Sequence, residues 1–306
     1  MKKIIILTSL LICLSFAGPI FEFKSNVKET PKWIEESLAG IKQEINRYAM
    51  PSGVVGIAIK DLTSDESFSL NGNVPFNPAS VIKIPVMIEA YHQDSLGIIS
   101  LNDKMRLSNR FKLPGSGSLQ YHQDGELFTV KRLIELMITD SDNTATFMLI
   151  DKLGIANINS YMRRCGVYKT IVKDPTMFNK EKGKHNITCP EDMLKLMDKM
   201  YNGKLVNAKA SNEMLTVMKG QRHKWGIARF LPNVTIANKT GSLDFVRNDV
   251  GIIYANNRPY IISIFSRELP SNRGGSVMVG ALSKVVYDVR SHCTLSNKNN
   301  DDFSNS

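Results

Sequence analysis

The chain has 306 residues, 42% of them hydrophobic and 22% charged, and a formal net charge of +10. This is ordinary globular composition with enough apolar material for a sizeable core in one or two domains, and no internal repeat is visible. The lysines are scattered, with no basic stripe interleaved with aromatics, which argues against nucleic acid. The histidines (His92, His122, His185, His223, His292) form no HxH, HExxH or Cys/His spacing, so no metal or other cofactor is expected.

Residues 1–17 begin with Met1, Lys2 and Lys3, continue in an apolar run of about a dozen residues, and close on Ser15, Phe16 and Ala17. That layout is a secretory leader cut near Ala17. The run is too short for a comfortable membrane span, and Cys13 lacks the small residue in front that a lipoprotein leader needs. The expectation is an exported soluble protein, secreted or periplasmic, whose charge falls to +8 when the two leader lysines are lost. Such a balance suits an anionic envelope or a carboxylate-bearing substrate. Of the remaining cysteines, Cys165, Cys189 and Cys293, an odd number leaves one unpaired; the spacing leaves a Cys165–Cys189 bridge open.

After a linker at 24–30, residues 31–48 place Trp33, Ile34, Leu38, Ile41 and Ile45 at helical spacing. Residues 54–60 and 67–70 read as a hairpin closed by Asn71 and Gly72. The stretch 77–87, NPASVIKIPVM, delivers Ser80 from a turn into a helix, with Lys83 one turn later and Pro85 inside, where a kink is expected. From 98 to about 222 helix and loop signals dominate. A Gly/Ser-rich loop at 113–125 precedes a helix at 129–138 with Val130, Leu133, Ile134 and Met137 inward. Asp140, Ser141, Asp142 and Asn143 interrupt the pattern before a helix at 145–153 stopped by Gly154. Residues 169–187 form an irregular polar loop holding Asp174 and Pro175. Thr188 is expected to cap the next helix, with Pro190 in its first turn and Glu191 at the capping-box position. Strand-like runs at 234–238, 249–255 and 260–266 precede a closing helix at 277–291 and a disordered tail at 296–306. The simplest packing is an α+β fold: an antiparallel sheet built from both chain ends and flanked by helices, with an inserted all-helical lobe. The α/β lobe takes residues 31–75 and 228–291, and the helical lobe takes 76–227.

A serine hydroxyl is a weak nucleophile until a neighbouring base takes its proton, and a lysine in a water-poor cleft can be that base. Ser80 and Lys83 share a helix face, although such a pair is more often an N-cap followed by a solvated lysine. Ser141, Asp142 and Asn143 before a helix are usually an N-cap cluster, and Lys239, Thr240 and Gly241 are usually a strand end with a turn. Together, in this order and on a helix start, an interhelical loop and a late strand, chance becomes improbable.

The three motifs resemble those of the class A β-lactamases, secreted serine hydrolases, and the resemblance covers residues 31–291. The stretch LMITDSDNTATFMLIDKLG (136–154), the helix start at 188–193, and Arg247, Asn248 and Asp249 also match. The resemblance implies the β-lactamase/penicillin-recognising fold and a role for each matching residue. Ser80 would attack the β-lactam or acyl-peptide carbonyl, Lys83 accept its proton, and Ser141 relay a proton to the leaving nitrogen. Backbone N–H groups of Ser80 and Ser242 would stabilise the oxyanion. Asn143 would bind the substrate side-chain amide and help hold Lys83, while Lys239, Thr240, Gly241 and Arg247 would receive the substrate carboxylate. Arg247 stands one residue short of the family spacing, and its plain alternative is a surface arginine paired with Asp249.

One departure concerns turnover. Family members that hydrolyse β-lactams efficiently carry glutamate, proline and then asparagine where this chain reads Lys173, Asp174, Pro175, Thr176, Met177, Phe178, Asn179. Asp174 is the expected substitute for activating the deacylating water, with Asn179 as its partner one position late. Aspartate is one methylene shorter, and a misplacement of about an ångström costs about a hundredfold. The alternative is that Asp174 shapes a turn before proline; Glu181 reads as a solvated loop charge. The expected protein is a monomeric serine hydrolase acting on a small-molecule β-lactam or peptidoglycan-type substrate, without nucleic acid and with cell-envelope association. The rivals are a D-Ala-D-Ala peptidase or other amidase or esterase, and a protein that binds β-lactams or wall peptides with little turnover.

Overall fold

The computed structural model describes residues 22–178, 181, 183–255 and 258–301, from 292 onward by main chain alone. The leader at 1–17, Asn179 and the tail end at 302–306 lie outside the described residues. In chain order the elements begin β1 (Phe23–Ser25), α1 (Lys32–Tyr48), β2 (Val54–Asp61), β3 (Ser67–Leu70), a 3₁₀ turn (Ala79–Ile82) and α2 (Lys83–Ser95). There follow β4 (Lys104–Arg106), β5 (Leu127–Thr129), α3 (Val130–Thr139), α4 (Asn143–Leu153), α5 (Ile155–Arg164), α6 (Pro190–Tyr201) and α7 (Ala208–Lys219). The chain closes with β6 (Thr235–Leu243), β7 (Val246–Tyr254), β8 (Tyr260–Arg267) and α8 (Asn272–Asp301).

The two chain ends meet in one antiparallel sheet of order β1-β3-β2-β8-β7-β6, joined where β2 pairs with β8 from Val54 opposite Arg267 to Asp61 opposite Tyr260. The apolar run of β8, YIISIFSR, is nearly continuous because helices cover both faces. Side chains alternate accordingly. Ile57, Ile59, Ile262 and Ile264 enter a core with Ile34, Ile41 and Ile45 of α1 and Met278 and Leu282 of α8. Ala58, Ile261 and Phe265 enter the core of the helical lobe on the other face. That lobe is wound around α2, whose Ile84, Val86, Met87, Ile88 and Ala90 are all fully buried, as a helix apolar all round must be. Each of the larger ones, Ile84, Val86, Met87 and Ile88, contributes about 1.5–3 kcal/mol on burial. The result is a rigid post carrying Lys83 at its first turn.

Several local expectations need correction. Pro85 is the third residue of α2, and the change in winding comes ahead of it, from 3₁₀ to α at Lys83. Thr188 does not cap α6: Cys189 takes that position without a side-chain bond, while the Thr188 hydroxyl pairs with Thr170 Oγ1 at 2.8 Å and its main chain bridges to Phe76. Cys165 and Cys189 are both free and buried, so the bridge between them is absent. Burial pushes the Cys189 thiol up to about 12. The strands β1, β4 and β5 were not anticipated, since a three-residue strand carries too little periodicity to read. Helix α8 begins before 277 and continues past Ser291 to Asp301.

Candidate active site

Three elements converge on one point: the 3₁₀ turn holding Ser80, the loop between α3 and α4, and the edge strand β6. Ala79 (φ +48°) and Ser141 (φ +57°) both adopt left-handed backbone that non-glycine residues rarely take, at a cost of order 1–3 kcal/mol each. Each conformation has local support. The Ala79 N–H donates to Asn77 Oδ1 (2.9 Å), and Asn248 Nδ2 holds the Asn77 carbonyl (2.9 Å), tying the Ser80 turn to β7. Asp142 caps α4 through the Ala145 N–H (2.8 Å) and accepts from the Leu119 N–H (2.9 Å), which fixes the residue following Ser141. Gly117 makes this approach feasible: a Cβ there would lie 2.2 Å from the Asp142 carboxylate, and its φ is +96°.

Ser80 is half-buried in the 3₁₀ turn, its main chain against Gly241 of β6. Lys83, one turn later, is fully buried. Its Nζ donates to the Ser141 carbonyl (2.5 Å) and to Asn143 Oδ1 (2.9 Å), and lies 3.1 Å from Ser141 Oγ. Lys239, also fully buried, donates from Nζ to the same Ser141 Oγ (3.0 Å) and to the Thr240 carbonyl (2.8 Å). One hydroxyl therefore stands between two lysine side chains. Burial, reinforced by the Lys239 charge, drives the Lys83 pKa well below the ordinary lysine value. Burial lowers Lys239 to about 7, with Asp249 opposing the fall. The arrangement is consistent with neutral Lys83 accepting from the Ser141 hydroxyl while protonated Lys239 donates to it. Such a line can move a proton.

The strand register places the remaining groups. Leu243 pairs with Val246 across the two-residue loop Asp244–Phe245, so that flanking pair exchanges hydrogen bonds and the next pair, Ser242 and Arg247, does not. The Arg247 N–H accordingly turns to Ser266 Oγ on β8 (3.0 Å), and the Ser242 N–H turns outward from β6, the last strand of the sheet. Gly241 lies against the Ser80 turn. A Cβ there would sit 2.7 Å from the Pro78 carbonyl and 3.1 Å from the Ser80 nitrogen. Two backbone N–H groups, those of Ser80 and Ser242, are thereby brought to one side of the cleft.

Not every expected residue joins this cluster. Lys239 and Gly241 face the helical lobe, whereas Thr240 and Arg247 project from the opposite sheet face by the alternation of the strand. Arg247 is not paired with Asp249. Its Nε donates to Ser276 Oγ (3.1 Å) on α8, its Nη1 donates to the Leu243 and Val246 carbonyls (2.7 Å each), and Trp225 stands 5.8 Å from the guanidinium. Its fork is thus held at the hairpin end of the sheet. Asp174 is buried in the loop before α6, where its Oδ1 accepts from the Thr176 N–H (2.9 Å) and hydroxyl (2.7 Å); its main chain is held by Asn186. These bonds organise the loop itself. Phe178 on the same loop stands opposite Gly115, beside the Asn143 amide.

Asp249 behind the cluster was named in the sequence only as a matching residue and as a partner for Arg247, without a role in the site. Its carboxylate is fully buried, accepts from Asn238 Nδ2 (2.9 and 3.1 Å) and the Ile227 N–H (2.8 Å), and is pushed up to about 6 by burial. An acidic residue at the head of the apolar run 250–254 was its visible signal. Gln221, also buried, was missed as well: it donates to the Ile138 carbonyl (3.0 Å), just ahead of Ser141. Among the described residues no His, Cys, Asp and Glu group could hold a metal ion.

Comparison with known proteins agrees with this architecture. The chain is 25% identical over 207 residues to beta-lactamase BRO-1 of Moraxella catarrhalis, a match covering 66% of this chain and 64% of that protein's length. Among solved structures, the beta-lactamase from Sphaerobacter thermophilus superposes with a TM-score of 0.78 at 28% identity, over 83% of this chain and 96% of that one. PBP-A does so with a TM-score of 0.76 at 27% identity, over 84% and 96%; a mutant of PBP-A is described as an acyl-enzyme complex with penicillin G. The model of the beta-lactamase enzyme family matches residues 40–289, and the chain belongs to that family.

Proposed function

We propose that the protein is a class A-type serine β-lactamase that opens the β-lactam ring through an acyl-enzyme on Ser80. The observation that carries this reading is the line Lys83–Ser141–Lys239, with one hydroxyl bonded to two buried lysines beside a half-buried serine. Ser80 Oγ attacks the lactam carbonyl carbon and its proton passes to neutral Lys83. The oxyanion is met by the N–H groups of Ser80 and Ser242. The C–N bond then breaks, and the departing nitrogen takes a proton from Ser141 Oγ, which is resupplied along the lysine line. Asn143 binds the substrate side-chain amide. Lys239, on the cleft face of β6 beside Gly241, receives the carboxylate, while Thr240 and Arg247 stand on the α8 face and take no part. A water activated by Asp174 would release the acyl group.

The names of BRO-1 and the Sphaerobacter enzyme, and the penicillin acyl-enzyme of PBP-A, support the same chemistry here. The functional unit is residues 31–291, divided into lobes at 31–75 with 228–291 and at 76–227; the protein is a monomer exported by its leader. A second reading, acylation of β-lactams or wall peptides with little turnover, is favoured by the two bonds that Asp174 Oδ1 accepts from Thr176. Intact-mass spectrometry during nitrocefin hydrolysis decides between them. Many turnovers with little adduct support the hydrolase; one equivalent released with a stable adduct supports the second reading. Full-stoichiometry labelling of Ser80→Ala would refute the nucleophile.

A further inference from the structure

The turn after α5 carries a group of cations that form no ion pair among the described residues. Arg163 and Arg164 end α5 and are exposed. The turn that follows packs on α6: Lys195 Nζ donates to the Gly166 carbonyl (2.9 Å), and the Lys169 N–H donates to Asp192 Oδ2 (2.7 Å). Lys199 lies one helical turn beyond Lys195, and with Arg164 it is close enough to oppose the upward push of burial on the Cys165 thiol. Lys169, exposed, lays its ammonium on the Asn73 carbonyl and side chain (3.0 Å each). Arg164, Lys195 and Lys199 therefore gather around the Cys165–Gly166 turn, Arg163 and Lys169 flank it along the chain, and Tyr168 beside them is 70% exposed.

Ion pairs are common elsewhere, at Lys60, Arg110, Arg132, Lys152, Lys184 and Lys284 for example, yet among the described residues none of these five cations forms one. Three of the nearby acids are committed, and the fourth, half-buried Glu191 beside Gly72, forms no ion pair among the described residues. Asp192 is buried and accepts from Lys169 and Thr170, Asp198 pairs with Lys60, and buried Glu89 faces His92 and Gln93. Cations in excess of nearby carboxylates raise the local potential and concentrate anions from solution. Several separated cations around one turn suit a chain of phosphates better than a single small anion. A lone tyrosine offers a ring face for a sugar or polyol but too little apolar surface to anchor in a bilayer.

We infer that this face binds a linear phosphodiester polymer of the cell envelope, of the polyol-phosphate type, and holds the protein near the wall. The inference does not depend on the β-lactamase reading, because none of these residues belongs to the candidate active site.

The test is fluorescence anisotropy of the full chain with labelled poly(glycerol phosphate) across a salt series. With five contacts the logarithm of affinity should fall against the logarithm of salt with a slope of about −3.5. The triple variant Arg163→Glu, Arg164→Glu, Lys195→Glu should lose at least about tenfold in affinity and about 2 in that slope. The control Lys42→Glu, Lys209→Glu, Arg273→Glu changes net charge equally at exposed positions elsewhere and should stay within about twofold of the parent. Should the triple variant fail to fold by circular dichroism, Arg163→Gln with Lys195→Gln replaces it, with the same direction expected. No binding by the parent, or equal losses in both charge-reversed proteins, overturns the inference. So does tighter binding to anionic phospholipid vesicles or to single-stranded DNA at equal phosphate concentration.

Discussion

Gly241→Ala should disable acylation more than it destabilises the fold. The added Cβ would stand 2.7 Å from the Pro78 carbonyl, 3.0 Å from the Val81 nitrogen and 3.1 Å from the Ser80 nitrogen. All three are backbone atoms, so no rotamer change can relieve the contact. Restoring ordinary 3.4 Å contact requires β6 and the Ser80 turn to separate by about 0.7 Å. That separation falls between the two N–H groups proposed to hold the oxyanion. If an ångström of misplacement costs about a hundredfold, a shift of this size costs roughly 25-fold in acylation. The stability cost is that of modest overpacking, about 1–3 kcal/mol, partly offset by the lower chain entropy of alanine in the unfolded state. Stopped-flow acylation by a fluorescent penicillin, read beside thermal melts, separates the two effects. Gly97→Ala is the comparison: its φ is +68° and nothing lies within 4 Å of the new Cβ, so it should lower stability by about 1 kcal/mol and leave acylation alone. Acylation of Gly241→Ala within about twofold of the parent, with an unchanged melting temperature, would refute the reasoning.

With Lys239 near 7, KM for a carboxylate-bearing β-lactam should rise as pH passes above about 7. Lys239→Arg should abolish that limb, and Asp249→Asn, by removing the charge that favours protonated Lys239, should move it to lower pH; a KM flat from pH 6 to 9 in the parent would contradict this. The same groups bear on stability in opposite directions. Unfolded lysine binds a proton that folded Lys239 refuses between about 7 and 10.5, so its contribution rises with pH across that window. Asp249 keeps its proton in the fold up to about 6, so its contribution falls between about 4 and 6. Melts of the parent against Lys239→Arg and Asp249→Asn at matched pH read each term. Asp174→Asn should slow acyl-enzyme breakdown by about a hundredfold without slowing acylation. Unchanged breakdown would leave Asp174 as a turn residue and remove it from the mechanism.

The elements legible in the residues were those with long, clean periodicity. Helix α1, the β2–β3 hairpin and helices α3 and α4 declare themselves through apolar spacing and caps, because local backbone preference and one buried face agree there. The three motifs could also be read, since Ser80, Lys83, Ser141, Asp142, Asn143, Lys239, Thr240 and Gly241 stand in short unbroken runs. What the order of residues could not reveal was which face each side chain takes once strands are paired. Thr240 and Arg247 stand close in sequence to Lys239, yet strand alternation and the two-residue hairpin carry them to the α8 side, while Gly241 meets the Ser80 turn. The buried carboxylate of Asp249, the grip of Gln221 on the segment before Ser141, and the cations gathered around Gly166 likewise arise from residues distant in the chain. Local sequence determines which groups are available and which short segments turn or wind. Charge state, register and shared hydrogen bonds depend on burial and on partners that only the packed sheet and helical lobe bring together.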